Sequence, residues 1–113
     1  MADVLALGYG TVAGTRAAPQ TLLSKTTDAG VVGTQQGGLN FVQIANLDTA
    51  NWLFVKSADD PGPFVIALPG QSALVARGPS SANNLKAVVG FATTPSEAGT
   101  ISLTAAIVGK KLA

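Results

Sequence analysis

Residues 100–108 read TISLTAAIV, and apolar and polar side chains alternate along the first six of them. One face of an extended chain would carry four apolar residues, Ile101, Leu103, Ala105 and Ile107. The opposite face would carry Ser102 and Thr104. A period of two is typical of a β-strand with one buried face, so this stretch predicts a strand.

Comparable apolar runs precede it, at residues 39–47, 52–56, 64–68, 72–77 and 85–92. Turn-forming residues separate them: Asp48–Asn51, Ser57–Pro63, Pro69-Gly70, Gly78–Ser81 and Asn83-Asn84. In the run at residues 85–92, one face of the strand would carry Leu85, Ala87, Val89 and Phe91, opposite Lys86. Short strands at this spacing predict an all-β domain over residues 39–113, an antiparallel β-sandwich or jelly roll. We expect about six to eight strands in two layers, because each alternating strand needs a second sheet to cover its apolar face.

Residues 1–38 are different, because they are rich in Gly, Ala and Thr and have only short apolar bursts. Two interpretations carry equal weight. This segment is either an extended arm that lies on a neighbouring chain or the source of the first strands of the same sandwich. In the arm interpretation, contacts between subunits would come from Leu5, Leu7, Tyr9 and Val12.

Ionised side chains are scarce. The 113 residues are 47% hydrophobic and only 12% charged, with a net charge of +1. A free monomer of this size normally has about twice that share of charged residues, so we expect much of the surface to face other subunits. Basic residues are scattered, which argues against a nucleic-acid partner. The one adjacent pair, Lys110-Lys111, is interpreted as a solvated tail.

Membrane insertion and secretion are not expected. No run approaches the roughly 18 apolar residues that span a bilayer. Met1-Ala2-Asp3 lacks the positive start of a signal peptide. We therefore expect a protein that is made and kept in the cytosol, or assembled there into something larger.

The residues needed for catalysis are also scarce. The chain has no histidine and no cysteine. This removes the commonest general base and the thiolate ligands and nucleophiles, and no Ser-x-x-Lys pair replaces them. Asp59-Asp60 is the only acidic pair and is interpreted as part of a turn. We expect no enzyme activity, no metal and no cofactor.

One motif resembles a dinucleotide-binding fingerprint. Gly8, Gly10 and Ala13 have G-x-G-x-x-A spacing, and Asp28 follows 20 residues after Gly8. The helix that should follow would contain Gly14 and stop at Pro19, and no further βαβ unit comes after it. We therefore interpret these glycines as ordinary spacing in the N-terminal segment.

The aromatic residues fall inside the predicted strands. Trp52 and Phe54 share a strand face with Lys56. Aromatic side chains dominate small cores, so core packing or contact between subunits is the expected role of Trp52 and Phe54. An exposed row that stacks on sugars is the alternative, and it would make the chain a carbohydrate-binding module.

Two segments and the final strand resemble a known class of protein. They are Ile44–Lys56, then Val65–Val75 with its corner Pro69-Gly70-Gln71-Ser72, and the alternating strand that ends at Ile107-Val108-Gly109. This texture, over about residues 40–109, resembles the small β-sandwich virion proteins of tailed bacteriophages that cement or decorate the capsid. The acidic bias of many exposed decoration proteins is missing here, which leaves room for a buried structural role.

The resemblance implies a structural protein of the virion, assembled in the host cytoplasm. It would bridge neighbouring copies of the major capsid protein, or other virion subunits, and would itself form a homo-oligomer such as a trimer. A tail, neck or fibre component and a small coat protein are alternatives of the same kind.

Overall fold

The computed structural model describes residues 2–24, 33–34, 41–58, 62–76, 87–99 and 101–112. These residues form nine strands: β1 (Ala2–Val12), β2 (Gln20–Ser24), β3 (Gly33–Thr34), β4 (Phe41–Asn46), β5 (Trp52–Ser57), β6 (Val65–Ala67), β7 (Ser72–Ala76), β8 (Val88–Thr93) and β9 (Leu103–Leu112). A single 3-10 turn, Pro95–Glu97, lies between β8 and β9. The number of strands exceeds the expected six to eight because the N-terminal segment contributes three. The predicted turns at Asp59-Asp60 and at residues 78–84 lie outside the described residues.

The strands form one hydrogen-bonded sheet in the order β6-β5-β8-β2-β3-β1-β9-β4-β7. Every pairing is antiparallel except that of β2 with the short β3. The sheet folds over at β3, so that β6-β5-β8-β2 forms one layer and β1-β9-β4-β7 the other. This arrangement confirms the predicted antiparallel β-sandwich.

The core lies between the two layers. One layer contributes Leu22, Leu53, Val55, Val88 and Ala92, and the other contributes Val42, Ile44, Ala73, Val75, Leu103 and Ala105. The alternation that predicted the fold is present at the start of β9, where Leu103 and Ala105 are buried and Thr104 is exposed, and Ser102, just before the strand, is exposed as well. Ile101 is partly buried against the same cluster.

In β8 the face that enters this core differs from the expected one. Val88 and Ala92 point into the interlayer core, whereas Phe91 is buried without belonging to it. Phe91 pairs with Phe54 across β5 and β8, on the outer face of the layer. The alternation correctly predicted which residues of β8 share a face. Phe91, the largest of them, lies on the outer face because other aromatic side chains cover it there.

The N-terminal segment supplies strands to its own sandwich. β1 pairs with β9 from Ala2↔Leu112 to Val12↔Leu103, and Val12, Leu22 and Leu23 have no exposed surface. Of the two interpretations of this segment, the described residues match the second. The same pairing corrects the interpretation of Lys110-Lys111 as a tail, since both residues lie within β9.

Gly90 on β8 is closely packed between the two neighbouring strands of its own layer, β5 and β2. A Cβ atom built on it would lie 2.8 Å from Leu22 Cδ1 and inside van der Waals contact with the Phe54 carbonyl oxygen. Glycine is therefore required here by close approach, and an added methyl group must displace backbone.

We expect Gly90→Ala to destabilise the protein by about 2 kcal/mol, because overpacking a filled core costs roughly 1–3 kcal/mol. The free energy of unfolding in urea measures this effect. Gly99→Ala is the control, since its Cβ would come no nearer than 3.5 Å to any neighbour. Equal stability of the two variants would contradict the packing described here.

Candidate functional site

The most unusual surface of the described structure lies at β6 and β7, the two strands that end the sheet. All the exposed large apolar side chains among the described residues lie on these strands or beside them: Leu47, Val65, Ile66, Leu68 and Leu74. Leu74 is 59% exposed and Leu47 is 51% exposed. We call these five residues the edge surface; Ile66 and Leu74 lie on the outer faces of opposite layers, because Ile66 pairs with Phe54 and Leu74 alternates with the buried Ala73 and Val75.

Neither β6 nor β7 contains a charged residue. The segment 61–76, which contains β6, β7 and the turn between them, has no ionisable side chain and is flanked by Asp60 and Arg77. Natural proteins usually protect edge strands with lysine, proline or an inward-pointing charge, because an unpaired strand invites pairing with another chain. Pro69 lies in the turn and leaves the backbone of both strands free of proline.

A buried asparagine holds this side of the sandwich together. Asn46, at the end of β4, is 1% exposed. Its Nδ2 donates to the carbonyl of Asn51 at 2.8 Å and to that of Ala67, on β6, at 3.0 Å. Its Oδ1 accepts the N–H of Asp48 at 3.0 Å. One side chain therefore connects the two layers and shapes the β4–β5 loop.

The β6–β7 turn is attached to the same point. Gly70 has φ +74°, a left-handed conformation suited to glycine, and Gln71 donates to the Leu68 carbonyl across the turn at 2.9 Å. The N–H of Gly70 donates to the carbonyls of Asn46 and Asp48, both at 3.1 Å. These bonds bring Leu47 and Leu68, which come from different loops, to the same end of the sandwich.

Asp48 stabilises the β4–β5 loop as an anion. Its carboxylate accepts the backbone N–H of Ala50 at 3.0 Å and that of Asn51 at 2.7 Å. These two hydrogen bonds, led by that from Ala50, lower the pKa of Asp48 below its ordinary value. The stability that they contribute is present above about pH 4, the pKa of an unfolded aspartate, and is lost as the pH falls through the lower folded pKa.

We therefore expect Asp48→Asn to flatten the acid branch of the stability profile. The urea midpoint of the wild type should fall more steeply below about pH 4 than that of the variant, because only the wild type loses an anionic acceptor there. Parallel curves for the two proteins would show that the carboxylate does not contribute in this way.

A second cluster covers the outer face of β5 and β8. Phe54 and Phe91 stack with centroids 4.7 Å apart and planes 2° apart, and Phe64 meets Phe91 edge-on at 5.0 Å. Trp52 lies 6.3 Å from Phe54 at a tilt of 51°. Trp52 and Phe54 share this face with Lys56, as predicted, but Phe54 is only 3% exposed. A flat exposed row for stacking on sugars is therefore absent from this face of the described structure.

Arg16 covers this aromatic cluster. Its guanidinium carbon lies 5.1–5.6 Å from the ring centroids of Phe54, Phe64 and Phe91. The guanidinium also pairs with the Glu97 carboxylate, through Nη2 at 2.5 Å and Nε at 3.3 Å. Arginine stacks on aromatic faces as a flat cation, so it fastens the β1–β2 loop over a small outer core.

The predicted contact residues have different surroundings. Val12 and Phe54 are buried within the chain, so neither side chain is open to another subunit in this fold. Trp52 is half-buried on the outer face of β5. Leu5, Leu7 and Tyr9 lie on β1, whose side chains up to Tyr9 are outside the described residues.

The edge surface and Arg16 were missed by reasoning from sequence. For the edge surface, the charge-free segment 61–76 was a usable signal. For Arg16 no local signal exists, since its aromatic partners lie at least 38 positions away in the sequence.

The described residues offer little for chemistry on a ligand. No group of three potential metal-ligating side chains occurs among them. A shallow open pocket is lined by Ala13, Gly14, Thr15 and Ile101, none of which is ionisable. No helix in the described part of the chain is long and apolar enough to cross a membrane. Asp28 and Asp59-Asp60 lie outside the described residues.

Comparisons with protein-family models, with curated proteins and with solved structures give no match.

We expect Arg16→Ala to destabilise the fold by about 1–2 kcal/mol, because it removes the contact with three rings, and a partly buried cation–π contact contributes roughly 0.5–2 kcal/mol. Glu97→Gln, which leaves the stacking in place, should cost less than about 1 kcal/mol, as is usual for an exposed ion pair. Urea unfolding measures both. A larger effect of Glu97→Gln would mean that the ion pair, and not the stacking, holds the loop.

Proposed function

We propose that this chain is a structural protein whose work is to hold an assembly together. Its kind is that of the small β-sandwich proteins that stabilise a phage capsid by bridging neighbouring capsid subunits. The single observation that supports this proposal most strongly is the edge surface, five exposed apolar side chains beside two edge strands with no charge in segment 61–76. Lone exposed apolar residues are ordinary, but their concentration at unpaired edges marks an interaction surface.

The mechanism is burial combined with backbone pairing. Covering apolar surface stabilises a contact by roughly 25 cal/mol per Å². An edge strand adds main-chain hydrogen bonds to a partner strand. A contact made by one edge strand and a few apolar side chains is weak alone. Many such contacts, made by symmetry-related copies on one particle, bind strongly together through avidity. The partners in this proposal are the major capsid protein or other virion subunits, together with further copies of the chain, in a trimer for example.

A tail, neck or fibre component and a small coat protein would use the same surface in the same way. A carbohydrate-binding module requires different features. The aromatic row that would stack on sugars is interrupted, because Phe54 is buried beneath Arg16 and packed against Phe91. Trp52 is the only tryptophan of the chain, so its fluorescence reports directly on this face. A saturable change on adding oligosaccharides would favour the sugar-binding alternative.

We expect the purified wild-type chain to have a solution mass of several chains, or a mass that rises with concentration. The double variant Leu68→Lys/Leu74→Lys should shift it towards a single chain, because each lysine places a hydrated charge on the apolar surface to be covered. Thr21→Lys, an exposed position on β2 away from both edges, is the matched control and should keep the wild-type mass. Light scattering after size exclusion gives these masses.

The capsid role has its own test. The wild-type chain should co-sediment with phage capsid shells that lack it, and the double lysine variant should remain in the supernatant. A wild-type chain that is a single soluble monomer at every concentration, and that leaves the shells unbound, would overturn the proposal.

A further inference from the structure

The hydrogen bonds between β4 and β7 determine which residues of β7 direct their N–H and C=O groups towards its free edge. The N–H of Asn46 donates to the carbonyl of Gln71 at 2.8 Å, at the start of the β4–β7 ladder. Hydrogen-bonded and non-bonded pairs alternate along an antiparallel ladder, so Ala73 and Val75 also direct their backbone groups towards β4. Ser72, Leu74 and Ala76 therefore direct their N–H and C=O groups away from the sheet. Among the described residues, no strand pairs with this side of β7.

We propose that β7 pairs antiparallel with β7 of a second copy of this chain, across a twofold axis centred on Leu74. This contact names a partner for the edge surface and rests on the proposed assembly function. The register follows from the backbone phase. With the axis at Leu74, Leu74 faces Leu74 of the copy and Ser72 faces its Ala76. Every outward N–H and C=O of the three residues then finds a partner, whereas an axis at Ala73 places Ala76 opposite Gly70 of the copy, whose N–H already donates to the carbonyls of Asn46 and Asp48.

The side chains suit the same register. Leu74 is the most exposed large apolar residue of the described structure, and the axis places it beside Leu74 of the copy, so that each covers part of the other. Ser72, which shares the outer face of β7 with Leu74, is small and exposed and leaves room beside the leucine. Ala73 and Val75 already point into the sandwich core and are not disturbed. No charge on β7 opposes the approach of an identical strand.

A second copy fits β7 better than β6. β6 has three residues, which allow fewer main-chain bonds than the five of β7. A contact through one strand pair covers less than the roughly 800 Å² per partner of a stable interface. The pairing is therefore weak in isolation and effective where many copies are held on one particle, which is the setting of the proposed function.

Cysteine cross-linking tests the register directly, because the wild-type chain has no cysteine. In Leu74→Cys the two introduced thiols would lie on residues about 5.5 Å apart at Cα, within the range of a disulfide. In Ser72→Cys the two thiols would be offset by four residues, roughly 14 Å along the strands, which is beyond that range. Both positions are exposed, so neither substitution opens the core.

Under mild oxidation we expect Leu74→Cys to convert to a species of twice the chain mass in non-reducing electrophoresis, and Ser72→Cys to stay at the mass of one chain. Equal cross-linking of both variants would indicate random collision or a parallel register and would overturn the proposal. Absence of cross-linking in Leu74→Cys would also overturn the proposed pairing of β7 with a second copy. That result is the one expected if β7 binds a different protein instead. If the wild type still has a multi-chain mass in that case, only the β7 contact is wrong. If the wild type is a monomer, the assembly function is wrong as well.

Discussion

The buried amide of Asn46 joins the two layers of the sandwich on the side where the sheet ends. On the opposite side no such connection is needed, because β2, β3 and β1 carry the hydrogen-bonded sheet continuously from one layer to the other. On the Asn46 side, β6 and β7 have no strand between them among the described residues. The amide bonds to Ala67 of β6 from the end of β4, and Gly70 bonds back to the Asn46 carbonyl. A buried side-chain amide with three good hydrogen bonds stabilises this junction, and the edges of β6 and β7 remain unpaired among the described residues.

This arrangement makes one side of the protein different from the rest. The closed side is sealed by backbone bonds, whereas the open side presents strand edges and apolar side chains without charges. Chains with open edges usually protect them, because pairing with another chain is the natural outcome of leaving them bare. The strands β6 and β7 themselves contain neither a charged residue nor a proline, and the low charge of the whole chain agrees with a surface that is used for contact.

The outer face of the other layer shows the contrasting solution to an exposed apolar surface. Phe54 and Phe91 would be open to water on a bare sheet, yet the chain covers them with Phe64, Trp52 and the Arg16 side chain. Glu97 holds the arginine in place, and the Gln20 side chain, which bonds to the backbone of Ala13 and Thr11, fixes the loop that carries it. The chain thus covers this apolar surface itself and leaves the edge surface open.

Alternation was enough to predict the class of fold and the positions of most strands from β4 onward, because the period of two is a local property of the sequence. It could not decide which face of β8 points inward, since Val88, Gly90 and Ala92 alternate as regularly as Val89 and Phe91. The place of the N-terminal segment was equally open, because pairing between β1 and β9 joins residues about a hundred positions apart. The edge surface also depends on strand order, which no single strand reveals. The contact of Arg16 with the aromatic rings could not be predicted either, because it forms only when the β1–β2 loop folds over rings from strands distant in the sequence.

In the proposed assembly, the open edge of β7 becomes covered when one copy of the chain meets another. Amide hydrogen exchange at Ser72, Leu74 and Ala76 tests it most directly, because their N–H groups point away from β4. We expect rapid exchange at these three amides in dilute solution and marked slowing as the protein is concentrated into its assembled form. Equally rapid exchange in both states would contradict it, as would protection already complete in the dilute single chain.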